Sequence, residues 1–385
     1  MKTTKLFKSF LESEKSGGLL LIICTLISIS IANSPITGYY ASLWHFQIGA
    51  HSVEHWINDG LMAIFFLLVG LELIKEIYEG ELADIRKALL PIGGAIGGML
   101  VPATIYLIFN YNTITHSGFG IPMATDIAFA LGILSLLGNK VPVTLKIFLT
   151  ALAVIDDLGA IIVIAIFYTS SLIWANLFIA LGIFTLLLIL NKCFKINNLI
   201  PYILGGIVMW YFMLHSGIHA TIAGVLLAFA IPYKKKTDNS PSHRMQHWLH
   251  YPVAFVILPL FALANTAIVI EGKWHEAILE PYALGIIGGL VLGKPLGIVA
   301  ACFIMVKLKI CSLPRLLKWK HLTGVSILGG IGFTMSIFVT LLAFDDHSII
   351  NNAKLMILLA SFLSACFGYI WLKETLKNNN RHTIL

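Results

Sequence analysis

Charge is what this chain has least of. Lys, Arg, Asp and Glu make up 12% of its 385 residues, about half the share of a soluble domain. That scarcity excludes an ordinary water-soluble fold. Cysteine is sparse too: Cys24, Cys193, Cys302, Cys311 and Cys366 follow neither a disulfide framework nor a metal-binding spacing, which leaves packing as their role. No phosphate loop, nucleotide motif or metal motif occurs, which argues against ATP hydrolysis as a driving force. What fills the sequence is apolar. Mean hydropathy is +0.88, and stretches long enough to cross a ~30 Å hydrocarbon layer recur throughout.

Twelve such spans can be read, about 17–32, 59–75, 88–109, 119–138, 145–169 and 174–191, then 200–214, 218–231, 252–270, 283–306, 325–344 and 353–374. The fold class is an all-α polytopic membrane protein, one transmembrane domain over 1–385 with a leading segment 1–16 and a tail 375–385. The seventh and eighth spans meet at "LHSGIHA", where a single long broken helix is the alternative. With the N-terminus assigned to the cytoplasm, all but three of the 26 Lys and Arg residues fall on the cytoplasmic side. The exceptions are Lys273 and Lys354, placed outside, and Lys294, within a span. This alternation supports twelve crossings with both ends cytoplasmic. It also accounts for the net charge of +7 without any nucleic-acid surface.

The first span ends at "IANS" like a signal-peptide core. Removing it would leave eleven crossings and an external N-terminus, so it reads as retained. Ahead of it, "KLFKSFLESEKSGG" sets Leu6, Phe7, Phe10 and Leu11 on one helical face, with Gly17–Gly18 ending the turn. A helix lying on the membrane surface and a solvated basic tail are both open readings.

A weak internal repeat is visible in segment character. The triplet 88–109, 119–138, 145–169 resembles 283–306, 325–344, 353–374, and the two run in opposite directions across the membrane. Each opens on a glycine-dotted helix ("GGAIGGML", "GIIGGLVLG"), where close helix packing is the expected use. Each continues with a segment weakened near its middle, "IPMATDIAFALG" and "GGIGFTMSIF". There Pro122 removes a backbone donor, and Gly329, Gly330 and Gly332 ease unwinding, so these two helices are expected to be discontinuous. Inverted triplets with interrupted helices are the pattern of secondary transporters, whose ion sites lie at the interruptions.

Of 19 acidic residues, Asp126, Asp156 and Asp157 fall in mid-span, and Asp59 and Glu72 lie near the two ends of the second span. One Asp at mid-bilayer costs about 2.5–3.5 kcal/mol on insertion scales, so three mark function rather than folding. Adjacent helical positions point about 100° apart. A division of labour follows for Asp156 and Asp157: one lines an aqueous cavity, and the other meets Lys294, the one basic residue read inside the bundle. Asp126, just past the interruption, would offset exposed helix N-termini, and Lys294 exposed C-termini. Carboxylates hold hard cations, and protons compete for the same oxygens. Cation/proton exchange is the chemistry that fits, with no cofactor beyond the transported ions.

At this point the residues resemble the NhaA-type sodium/proton antiporters of bacterial inner membranes. "WINDGLMAIFFLLVGLE", "IPMATDIAFALG", "ALAVIDDLGAI", "SGIHATIAGV", "GKPLGI" and "GIGFTMSIF" stand in that family's order over nearly the whole chain. The resemblance implies two crossing discontinuous helices, the fourth and eleventh. It implies Asp157 as principal cation ligand, and Asp156 as the proton-exchanging partner of Lys294. Asp126 and Thr125 would sit in the helix crossing, and Asp59 at the outer end of the second helix. Glu72 would take part in pH response, His219 would either do so or serve as a satisfied packing histidine, and transport of Na+ or Li+ against H+ would be electrogenic and carried out by a homodimer. Three departures stand out: Ile74 where the family often has a base, Gln246 where it often has an acid, and an outer loop 33–57 shorter than the hairpin that joins dimers.

His243, His247 and His250 recur at helical spacing on the cytoplasmic side. They read either as an acidity-sensing face or as the polar side of a short helix leading into Pro252, and no carboxylate partner is evident for them in the sequence. Trp44, Trp56, Trp174, Trp210 and Trp371 fall near span ends, as interface anchors do. Two other functions would also use intramembrane carboxylates. A cation-coupled symporter of an organic solute needs more mid-membrane polar groups than are present. An intramembrane aspartyl protease needs two aspartates facing one water, which neighbours on one turn do not supply.

Overall fold

A lipid interior offers no partner for a bare N–H or C=O, so apolar runs of this length fold as helices. The computed structural model describes residues 14–169, 172–235, 240–270, 274–314 and 317–377. Its only strand pairing among these residues is a short ladder, Gln47–Ile48 against His51–Ser52. Among the described residues, eight helices are long and apolar enough to cross a membrane: Val53–Tyr78, Ile85–Phe109, His116–Leu136, Val143–Phe167, Trp174–Lys192, Pro241–Asn265, Pro281–Lys307 and His347–Lys377. The helix Glu14–Ala32, the bent pair Trp319–Leu328 and Phe333–Ala343, and the shorter Ile200–Leu214 and Thr221–Ala230 complete the twelve expected segments. At "LHSGIHA" the chain turns back: Gly206 faces Leu227 across the pair, so these are two helices and not one broken one.

Several boundaries differ from the sequence reading. The ninth span does not start at Pro252. Its helix begins at Pro241 behind a Ser240 cap and passes through Pro252 into a π-turn, Val253–Ile257. Such a widened turn absorbs proline's missing donor. Gly17 and Gly18 do not end a helix either, since Glu14–Ala32 runs through them. A Cβ on Gly18 would lie 3.1 Å from the Gly132 Cα, so the glycine serves contact with a neighbouring helix. The amphipathic face at Leu6–Leu11 lies outside the described residues. The outer loop 33–57 holds a helix, Thr37–His45, besides the small ladder.

The chain divides into two compact units. One contains the described parts of 1–34, 84–160 and 266–385, and the other contains 35–83 and 161–265. Both inverted triplets fall within the first, apart from the last residues of Val143–Phe167. Their glycine-dotted leading helices meet backbone to backbone. A Cβ on Gly97 would sit 2.2 Å from the Gly297 carbonyl oxygen, and one on Gly297 2.1 Å from that of Gly97. Only hydrogen fits there, and this approach brings the rest of each triplet together. In the second unit, Val53–Tyr78 packs on Thr221–Ala230 over a core that includes Leu71, Tyr202, Met209 and Ala228.

Candidate functional site

The site is built where two helices fail. His116–Met123 is wound as a 3-10 helix containing Pro122. Ala124 is extended, and a new helix, Ile127–Leu136, starts behind Asp126 as its cap. In the other triplet Trp319–Leu328 stops at Gly329, and Phe333–Ala343 resumes at an angle of 48°. The two gaps cross. The Asp126 N–H donates to the Ile331 carbonyl at 2.7 Å, and the Thr125 hydroxyl lies 2.9 Å from the Gly329 carbonyl. Ser336 Oγ donates to the Ile121 carbonyl at 2.7 Å. Each unwound stretch thus satisfies backbone groups that the other leaves open.

Asp126 closes both restarts. Its Oδ1 accepts from the Phe129 N–H at 2.9 Å. Its Oδ2 accepts from the Thr334 N–H at 3.1 Å and the Thr334 hydroxyl at 2.6 Å. One carboxylate therefore faces the positive N-terminal ends of two half-helices, where negative charge is most welcome. Lys294 does the reverse: its ammonium donates to the Met123 carbonyl, at the end of the 3-10 segment.

The same ammonium lies 3.0 Å from Asp156 Oδ2. Thr125 Oγ1 is 3.0 Å from that oxygen, yet also within reach of Gly329. A hydroxyl has one proton, so it serves one of the two acceptors at a time. Asp156 Oδ1 has no hydrogen-bond partner among the described residues. Asp157 is the next residue on the same helix, and its carboxylate interacts electrostatically with Lys294. Asp126, Asp156, Asp157, Thr125 and Lys294 are all buried. Both Asp156 and Asp157 are shielded from solvent in this structure.

Thr334, Ser336 and the Met123 carbonyl were not singled out from the sequence. Thr334 carried a readable signal, a hydroxyl two residues past a glycine break. Ser361, whose Oγ accepts from the Phe333 N–H at 3.1 Å, carried none. Lys354, read at the outer mouth of the last helix, has its side chain buried near the start of His347–Lys377.

The remaining candidates belong to the second unit. Asp59 lies in a π-turn, Trp56–Leu61, and pairs with His55 at 3.2 Å. His219 Nε2 is 3.1 Å from the Tyr168 carbonyl, with Asp59 close enough to interact. Glu72 and Gln246 are hydrogen-bonded through their side chains, so the amide stands against an acid. His247 and His250 are exposed. His243 does have a carboxylate partner, Glu79 at 3.8 Å, which the sequence did not reveal. Tyr233 packs on both Tyr78 and His243. Burial, reinforced by Glu79, pushes its hydroxyl up to about 12.

Comparison with known proteins bears on the family and the fold. The family model described as Na+/H+ antiporter 1 matches residues 8–372. An Na(+)/H(+) antiporter NhaA of Flavobacterium psychrophilum is 63% identical over 98% of both chains. Those of Cytophaga hutchinsonii and Dechloromonas aromatica are 59% and 58% identical, over 98% and 99% of this chain and 97% and 98% of theirs. The solved structure of the sodium proton antiporter MjNhaP1 from Methanocaldococcus jannaschii superposes with a TM-score of 0.54 over 97% of each chain, at 15% identity, a likeness of fold alone. With crossed broken helices around buried carboxylates and a family match over nearly its full length, this chain belongs to the Na+/H+ antiporter 1 family of membrane transporters.

Proposed function

We propose that the protein expels Na+ or Li+ from the bacterial cytoplasm in exchange for entering protons, as a homodimer in the inner membrane with both termini cytoplasmic. The observation that carries this reading is the sharing of Asp156 Oδ2 between Lys294 and Thr125, beside Asp157. Asp126 is balanced by two helix starts. That leaves two carboxylates and one ammonium, a formal charge of one minus, which either a proton or a monovalent cation can cancel. Competition for one place is what exchange requires.

The stoichiometry follows from the same charges. In the proton-loaded state Asp157 is protonated and Lys294 is paired with Asp156, so the three groups sum to zero. A cation held by both carboxylates displaces the ammonium from Asp156. An unpaired buried ammonium then gives up its proton rather than stay charged. Two protons leave for one cation, and transport is electrogenic. Alternating exposure comes from movement about the crossed breaks. A pH response would be set at the inner end of Val53–Tyr78, where Glu72 meets Gln246 and His243 meets Glu79; His219, His247 and His250 remain candidates for it. The two-residue outer ladder suits a weaker dimer contact than the family's longer hairpin.

The test is exchange in everted membrane vesicles holding a preset pH gradient. Na+ or Li+ should collapse the gradient, and Asp157→Asn should abolish the response. Exchange at the wild-type rate in that variant would overturn the site.

A further inference from the structure

The flank made by Pro281–Lys307, Trp319–Leu328 and His347–Lys377 carries an open groove of about 590 Å³. Leu292, Ile327, Phe367, Ile370 and Trp371 wall it, and Lys320, Glu374 and Thr375 lie together at one end. Leu292, Phe367, Ile370 and Trp371 are exposed, as side chains that meet hydrocarbon rather than water can be. The polar end is where Lys318, Lys320, Lys373 and Lys377 gather, the cytoplasmic side in the orientation proposed above.

Depth and charge set this groove apart from a plain lipid-facing surface. At 1.5 Å per residue, Lys320 to Ile327 spans about 10 Å and Thr375 back to Phe367 about 12 Å. Both approach the ~15 Å half-thickness of a hydrocarbon core. Glu374 is already paired with Lys377 at 3.2 Å. Trp371 Nε1 donates to the Lys320 carbonyl at 2.8 Å, tying the start of one helix to the last. The Lys320 ammonium itself has no ion-pair partner among the described residues. A cation therefore stands at one end of an apolar channel that runs through most of a leaflet's depth.

We propose that this groove binds an anionic phospholipid of the cytoplasmic leaflet, one acyl chain lying along Ile370, Phe367, Ile327 and Leu292 and the phosphate resting on Lys320. The buried end of the chain touches the π-turn Gly288–Gly293, directly ahead of Lys294. Ile327 is two residues from Gly329, where the eleventh helix breaks. The lipid thus braces the outer side of the elements whose inner side holds the ion site. Only the leaflet depends on the orientation proposed above; the headgroup preference does not depend on the exchange reaction.

Trp371 is the reporter. The purified full-length protein in nanodiscs is titrated with phosphatidylglycerol or phosphatidylcholine carrying brominated chains, and fluorescence quenching is compared with that of Trp371→Phe. The Trp371 component should show about a fivefold preference for the anionic headgroup, as expected for one lysine at a charged surface. Lys320→Gln should lose that preference and Lys320→Arg keep it, both with the wild-type melting temperature. Equal quenching by the two lipids, marking ordinary boundary lipid, would overturn the proposal. So would a preference that survives Lys320→Gln.

Discussion

Asp156 and Lys294 lie 3.0 Å apart and fully buried, on helices that belong to opposite copies of the inverted repeat. Removing one partner of such a pair costs more than the pair itself contributes, because the survivor keeps its desolvation penalty. Lys294→Ala should therefore destabilise the protein by about 3–5 kcal/mol, read as a lower melting temperature in detergent. Under the proposed charge scheme the unpaired Asp156 takes up the second proton in place of the ammonium, so whatever exchange persists should remain electrogenic. A reversal potential that no longer follows membrane voltage would refute the scheme, and an unchanged melting temperature would refute the pairing.

Thr334 contributes two hydrogen bonds to Asp126, one through its backbone and one through its hydroxyl. Thr334→Val keeps the shape and removes the hydroxyl donor from a buried carboxylate, at a cost of about 1–3 kcal/mol. Thr334→Ser should recover most of it. Chemical or thermal unfolding of the three proteins in one detergent measures the difference.

Gly97 and Gly297 should tolerate no side chain. Gly97→Leu drives carbon into a carbonyl already in contact, and the expected result is loss of the folded, monodisperse protein on size exclusion. Gly38, with nothing near its Cβ position in an exposed helix, is the control. Gly38→Ala should be neutral or stabilising by up to about 1 kcal/mol.

Tyr233 holds its proton more tightly in the folded protein than in an unfolded chain. The native state then binds more protons, so this contribution to stability is complete below the ordinary tyrosine range. It is lost as pH rises from about 10 to about 12. Tyr233→Phe should flatten that alkaline limb in a melting-temperature series, while leaving the pH dependence of exchange near neutrality where it was.

Much of this molecule could be read along the chain. A bilayer admits few backbone solutions, so hydropathy located all twelve segments, and basic residues gave an orientation. Pro122 and the glycines at 329, 330 and 332 marked both interruptions within a residue or two, because helix weakness is local. Asp126, Asp156 and Asp157 stood out for a thermodynamic reason: their cost in a membrane demands a use. Elsewhere local reading failed. Pro252 looked like a helix start until a π-turn carried the helix through it.

The sequence by itself determined the class, the span count, the broken helices and the expensive charges, since each depends on a residue and its near neighbours. Tertiary structure alone decided the partnerships. Nothing in the chain order says that Thr334 joins Phe129 in satisfying Asp126, 208 residues before it, that His243 meets Glu79, or that Lys294 reaches the Met123 carbonyl as well as Asp156. The pairings of Asp126 and Lys294 exist because two unwound segments must satisfy each other's backbone in a medium without water. The proposed ion site lies where they do so.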